Sequence, residues 1–420
     1  MKAKKDKILT ASVAAVLSVS MLTAAGNAVN SVLAMMSSYF PEASQASIRL
    51  VSTLPSIVNV IVGLLMGKVI GKKIRYKTTF VLGGILFVLG GMGPAFFHGT
   101  LSTILMFRLI FGCGIGCLTF SNAWFLETQP LENHARILGM AAFMANAGAA
   151  VLQMASGPLA DRKWYYAFYP YMIGLGTLVM VLTLMKDTRQ GSVAGMTAVK
   201  DTDEALNIRT SEDQKKERVS PEIMKYVLIN FFVSLTAMPV MSGMSMVVAG
   251  RGIGGQTVAT TVSVILTVCQ VGGILVGIVF DRYVKILKRM AIPGALTIQG
   301  LGIFLILIAP NVFVVGLGAT VSGIGTILIS SLCTMYVGES TPKSTIPMAT
   351  VIVLMMSQAG IFLSSYYIQI CERITGARFG TDAESSYAVS SVLYVAVIIA
   401  AIAMILAGSK RSKQDAPVNE

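Results

Sequence analysis

The amino-acid sequence predicts an all-α membrane protein with 12 transmembrane helices in two pseudo-symmetric six-helix halves. Three observations predict it. Only 13% of the 420 residues are charged and 54% are apolar, whereas a soluble domain carries roughly a quarter charged residues to coat its exterior. Apolar runs of bilayer-spanning length recur along the whole chain. Several short motifs also return in the second half at nearly one offset. The 40 glycines and 25 methionines fit the same class, because small residues let membrane helices approach closely.

A membrane helix needs about 20 mostly apolar residues. Spans are expected at residues 8–33, 46–70, 78–97, 101–126, 137–157, 167–186, 223–248, 256–280, 289–309, 311–336, 345–370 and 386–408. Short loops join them except at 187–222, a polar stretch without apolar period. The domain reading is thus an N-terminal half at 1–186, a cytoplasmic linker at 187–222, a C-terminal half at 223–408 and a cytoplasmic tail at 409–420. Lys2, Lys4, Lys5 and Lys7 precede an apolar run that resembles a secretory signal. That run continues to about Met36, too long for a signal core, so it reads as an uncleaved first helix.

Loop charge sets the orientation. With the N-terminus inside, 26 of the 33 Lys and Arg fall in cytoplasmic segments. Another 6 fall outside: Arg49, Arg162, Lys163, Arg251, Arg373 and Arg378. Arg108 alone is placed well inside a span. Both termini are therefore expected in the cytoplasm of a multi-pass protein of the inner (plasma) membrane. The net charge of +13 reads as a topological signal and a match for anionic lipid, not as a nucleic-acid patch. The cysteines Cys113, Cys117, Cys269, Cys333 and Cys371 lie in or at the end of apolar runs with no metal-site spacing, so they read as packing residues.

The halves echo one another. GKVIGKKIRYK follows the second span from Gly67, and GIVFDRYVKILKR follows the eighth from Gly277, an offset of 210. Glu127-Thr128-Gln129-Pro130 returns as Glu339-Ser340-Thr341-Pro342 at 212, and Gly112 and Gly114 return as Gly323 and Gly325 at 211. Two similar halves about an axis normal to the membrane suit a carrier that alternates access to a midplane site.

On these motifs the chain resembles the major facilitator superfamily of secondary transporters. Gly277, Asp281, Arg282 and Lys285 match its G-x-x-x-D-R-x-G-R-K loop motif in the second half. Gly67, Lys72, Arg75 and Lys77 match it in the first, which departs at Gly71 and Ile74. Arg108, Gly112 and Gly116 resemble its fourth-helix motif; Glu127, Pro130, Arg136 and Gly139 resemble its next loop; and Gly157 to Asp161, with Trp164 and Phe168, resemble its fifth-helix end. Gln153 replaces a glycine of the antiporter signature, so the subfamily stays open. The resemblance implies the fold of that superfamily and a cytoplasmic gate of Gly67, Arg75, Arg136, Asp281 and Arg282. In it Asp281 approaches Arg136 when the carrier opens outward. Glu127 and Glu339, at cytoplasmic helix ends, are further gate candidates.

Polar groups within a bilayer are costly and mark function by default. The substrate-binding candidates are Arg108, Asn27, Asn30, Asn146, Asn230, Gln270, Gln358 and Tyr366. Arg108 has two open readings: an anion-binding guanidinium, as the family resemblance implies by facing it to a central cavity, or a structural donor to backbone carbonyls of the first helix. No acid and no histidine falls deep in a span, so no embedded proton relay is expected. The expectation is a monomeric carrier, without cofactor or metal, for a small organic solute that is anionic or zwitterionic. The alternatives are a multidrug exporter of lipophilic compounds and a membrane sensor without flux. A membrane enzyme would need clustered nucleophiles, metal ligands or paired carboxylates, and the sequence offers none.

Overall fold

A computed structural model describes residues 2–67, 69–70, 74–130, 133–185, 223–341, 346–376 and 378–414. The expected linker at 187–222, with Gly71, Lys72 and Pro342, lies outside the described residues. Among those described, 12 helices are long and apolar enough to cross a membrane. They are α1 (Ala11–Tyr39), α2 (Gln45–Met66), α3 (Tyr76–Phe96), α4 (Leu101–Thr128), α5 (Arg136–Arg162) and α6 (Trp164–Leu184). The second half contains α7 (Met224–Gly250), α8 (Gly255–Ile274), α9 (Ala291–Ile308), α10 (Val312–Glu339), α11 (Val351–Thr375) and α12 (Asp382–Ala401). The end of α6 and the start of α7 define a linker side; the opposite face is the far side.

Each half folds around its own apolar core. Phe87, Phe111, Phe168 and Tyr171 anchor the first, and Leu296, Ile303, Leu332 and Tyr394 the second. Met246 and Ala259 of the second half join the first core. The outward surface is apolar as well: Leu65, Met106, Phe313 and Val392 are all more than half exposed within spans. That is the surface of a protein solvated by lipid.

The glycine repeat has a packing cause. A Cβ on Gly112 would lie 2.8 Å from Val58 of α2, and one on Gly323 would lie 2.3 Å from the Cys269 sulfur of α8. A Cβ on Gly114 would meet the Phe87 nitrogen of α3 at 2.5 Å, and one on Gly325 the Gln299 nitrogen of α9 at 2.6 Å. In each half the fourth helix is squeezed between the second and third, and only the missing side chains permit that approach.

α1 is not a continuous α-helix. Residues Ala25–Val32 form a 3-10 stretch between the α-helical Lys2–Ser20 and Leu33–Tyr39. The local sequence AGNAVNSV is rich in weak helix formers. Backbone groups loosened within a membrane need other partners. The Tyr171 hydroxyl donates to the Ala25 carbonyl at 3.1 Å and Arg108 Nη2 to the Gly26 carbonyl at 3.2 Å.

The structure corrects one placement. Arg49, expected in an outside loop, lies in the first turns of α2 and is 0% exposed, so Arg108 is not alone among basic residues within spans. Its partner is Asp382, which begins α12 four residues before the expected start of that span. A charge can be buried there because the counter-charge arrives from a segment 333 residues away, a distance over which sequence pattern carries no signal.

Candidate functional site

Between the halves lie two adjoining cavities that share Ala24, Asn27 and Ile361. The larger, of about 250 Å³, is walled mainly by the second half. Asn230 and Ser234 reach it from α7, Gln270 from α8, Ser322, Thr326 and Ser330 from α10, and Ser357 from α11; Asn27 and Asn146 close it from the first half. The smaller, of about 130 Å³, is lined by Thr23, Asn27, Ser52, Ser56, Asn59 and Gln358. Among the described residues no Asp, Glu, Lys, Arg or His side chain lines either cavity. The walls are amides and hydroxyls set among apolar residues such as Met238, Met241 and Ile327.

Local structure explains how these groups are presented. The 3-10 stretch of α1 carries Asn27 to the junction of the two cavities. On α10, Ser322, Thr326 and Ser330 recur every fourth residue and so form one face of the helix. Asn230 is anchored by donating from Nδ2 to the Val353 carbonyl at 3.3 Å, and Ser234 pairs with Ser357 at 2.6 Å. Asn146 spends its amide on the Ala142 carbonyl of its own helix, 2.9 Å away. Asn27, Gln270 and Gln358 make no side-chain hydrogen bond to the described residues, which leaves both ends of each amide for a solute or water.

Of the residues expected to bind substrate, the cavities thus gather Asn27, Asn146, Asn230, Gln270 and Gln358. Asn30 stands behind them, fully buried, and accepts a hydrogen bond from the cavity-lining Ser52. Tyr366 is 43% exposed, lines neither cavity and contacts the Phe362 ring. Arg108 is 0% exposed and lines neither cavity. Its Nε donates to the Val51 carbonyl of α2 at 2.7 Å, its Nη2 reaches Gly26 of α1, and its guanidinium carbon lies 4.2 Å from the centre of the Phe111 ring. The charge is spread over carbonyl dipoles and an aromatic face.

The gate candidates lie apart from the cavities, at linker-side helix ends. Arg75, Glu127, Arg136, Arg282 and Glu339 are exposed. Glu127 accepts the Tyr76 hydroxyl at 2.6 Å. The Asp281 side chain and the surroundings of Gly67 fall outside the described residues. Arg136 borders a crevice of about 580 Å³ between α1 and α5, with Leu17, Met140 and Phe143.

Sequence reasoning missed Asn59, Ser56 and the hydroxyl face of α10. The every-fourth-residue spacing of Ser322, Thr326 and Ser330 was the available signal. It also missed the contacts that join the halves. All hydrogen bonds between the halves among described residues lie toward the far side: Arg49 with Asp382 and Met246, Thr53 with Ser365, Ala34 with Ser245, and Asp161 with Ala259 and Thr260.

Comparison with known proteins agrees with this architecture. A search of curated proteins finds no match. Among solved structures, the nucleoside transporter NupG is 14% identical with a TM-score of 0.68, and the alignment covers 93% of this chain and 99% of that one. The xylose transporter XylE from E. coli, in a partially occluded inward-open conformation, is 16% identical with a TM-score of 0.70 over 92% and 96% of the two chains. A bacterial homolog of the human lysosomal transporter Spinster is 15% identical with a TM-score of 0.71 over 94% and 96%. At these identities the likeness speaks to fold. The sequence itself matches the family described as Major Facilitator Superfamily over residues 10–365, and with that match and 12 spans around a central cavity the chain belongs to the major facilitator superfamily.

Proposed function

We propose that this protein is a secondary carrier that moves a small, neutral, polar organic solute across the inner membrane by rocking its two halves about the central cavity. The observation that carries the reading is the lining: amides and hydroxyls, with no charged side chain among the described residues. An anion entering such a site would shed its hydration without gaining a counter-charge, which is expensive. A neutral solute bearing hydroxyl or amide groups exchanges water for side chains of like chemistry. Orientation rests on the distribution of Lys and Arg, 26 expected on the linker side against 5 on the other once Arg49 is placed within α2, which puts the linker side in the cytoplasm. Among the described residues the cross-half hydrogen bonds lie on the far side, and in this reading that side, the outside, is closed.

The anionic or zwitterionic solute is the second reading, and Arg108 is what favours it. Its Nη1 has no hydrogen-bond partner among the described residues. Its other donors are already committed to Val51 and Gly26, so a small turn of the guanidinium, not a new residue, would be needed to reach a carboxylate. Lipophilic export draws on the apolar part of the lining, with Met238, Val240, Met241, Ile327 and Ile361. Among the described residues no three His, Cys, Asp or Glu side chains are grouped so as to hold a metal ion.

A thermal-shift screen of purified protein tests this, because a ligand that binds the folded state raises its apparent stability by about 2.7 kcal/mol at a hundredfold excess over Kd. Pentoses, hexoses and nucleosides are set against their phosphates and acids and against lipophilic cations. Stabilisation by an uncharged polar solute, weakened in Gln270→Leu, supports the reading. Stabilisation by anions alone, lost in Arg108→Gln, would replace it with the second.

A further inference from the structure

We propose that the far side of this carrier is held shut by two latches of unlike chemistry, a buried charge pair between α2 and α12 and a carboxylate-capped helix end between α5 and α8, both made only while that side is closed. The inference rests on the two-state carrier reading but not on the identity of the solute.

The first latch is Arg49 with Asp382. Nη2 of Arg49 lies 2.5 Å from Asp382 Oδ1 and 2.9 Å from the Met246 sulfur, and the two charged side chains are 0% and 7% exposed. The pair is poorly satisfied: Nε and Nη1 of Arg49 and Oδ2 of Asp382 have no partner among the described residues. A permanent staple would gain from a two-pronged geometry, and a half-satisfied buried pair adds little to a static fold. A contact that must break and hydrate in each cycle is better served by one short bond. The neighbouring Arg251–Glu384 pair lies wholly within the second half, where Arg251 also donates to the Ala309 and Leu307 carbonyls. Nothing in a rocking motion breaks it.

The second latch is Asp161, at the end of the Gly157–Asp161 motif. Its carboxylate accepts the Ala259 N–H at 2.9 Å and the Thr260 N–H at 3.0 Å, and it also accepts the Thr260 hydroxyl. These N–H groups open the α-helix Val258–Leu287 of the other half. Helix starts leave such donors without intrahelical partners and favour negative charge. One turn deeper a Cβ on Gly157 would fall 2.4 Å from the Ser263 hydroxyl, so α5 and α8 meet almost backbone to backbone. One turn along α2 from Arg49, the Thr53 and Ser365 hydroxyls of the two halves touch at 2.9 Å. Opening either latch exchanges its bonds for water, and both reward closure only when the halves are in register. That makes them terms in the equilibrium between states and not in the fold of either half.

The test uses the full chain with its five native cysteines replaced and one reporter, Asn27→Cys, in the cavity. Phe97→Cys, 63% exposed at the far-side end of α3, identifies which membrane face is the far one. An impermeant maleimide is applied to that face and labelling of position 27 is read by mass. Asp382→Asn and Asp161→Ala are each expected to raise the labelling rate roughly fivefold or more, the lower range of a functional coupling. Glu384→Gln is expected to leave it unchanged. Parental rates in both folded latch variants would overturn the proposal, as would an equal rise in Glu384→Gln. Should a latch variant fail to fold, Thr53→Cys with Ser365→Cys decides. Oxidative cross-linking should abolish far-face labelling of position 27 and reduction should restore it, and labelling that persists in cross-linked protein would overturn the proposal.

Discussion

At the scale of single residues, the two buried arginines show what a sequence can and cannot disclose. Arg108 was visible because it interrupts a long apolar run. Its two open readings are narrowed only by geometry, since the carbonyls of Val51 and Gly26 that receive it carry no mark in the sequence. Arg49 was invisible as a buried residue, for it lies near a helix start and its counter-charge is in the other half. Arg108→Gln is expected to lower stability by about 1.5–3 kcal/mol, the worth of a hydrogen bond from a charged group, while solute affinity per folded molecule stays within about twofold, well inside the tenfold that 1.4 kcal/mol represents. Denaturation midpoint and affinity measured on the same preparation check it. A tenfold loss of affinity at unchanged stability would move Arg108 into the binding site. Gln270 is expected to behave in the opposite way. It is 8% exposed and makes no bond to the described residues. Gln270→Leu should therefore leave the midpoint nearly unchanged and weaken binding by roughly the 1–3 kcal/mol of a polar partner lost from a site.

At the scale of elements, the spans were legible because twenty apolar residues have few other uses, and the repeat was legible because glycines cannot be exchanged where backbones touch. Gly112 and Gly114 press on α2 and α3 as Gly323 and Gly325 press on α8 and α9. The same logic picks out two glycines from the partner helices. A Cβ on Gly90 would sit 2.3 Å from the Phe111 nitrogen, and one on Gly302 would sit 2.3 Å from the Ser322 nitrogen. Gly90→Ala and Gly302→Ala should each cost about 1–3 kcal/mol by overpacking, read as a lowered thermal midpoint. Gly139→Ala, with nothing within 4 Å, should cost nothing. Equal effects at all three positions would count against the crossing as the cause. The break in α1 was not legible. Weak helix formers are common in membrane helices, and this stretch is sustained by Arg108 and Tyr171, which lie 82 and 146 residues away from the carbonyls they donate to.

At the scale of the whole molecule, sequence alone implied two halves, a midplane site and a side for each loop, but not the state of the gate. Which face closes is decided by contacts between residues hundreds of positions apart, and no local pattern encodes them. Orientation remains testable through the charge count: Ala205→Cys, in the expected cytoplasmic linker, should resist an impermeant reagent outside intact cells and react in inverted vesicles. Reaction from outside would reverse the topology. The central claim is that an uncharged polar cavity carries a neutral solute between two states. Solute counterflow in proteoliposomes tests it most directly. Vesicles loaded with the neutral solute that binds best are diluted into a trace of the same labelled compound. A transient accumulation of label that vanishes in Gln270→Leu and survives in Arg108→Gln is the predicted result. Binding without counterflow, or counterflow confined to anions and lost in Arg108→Gln, would contradict the account.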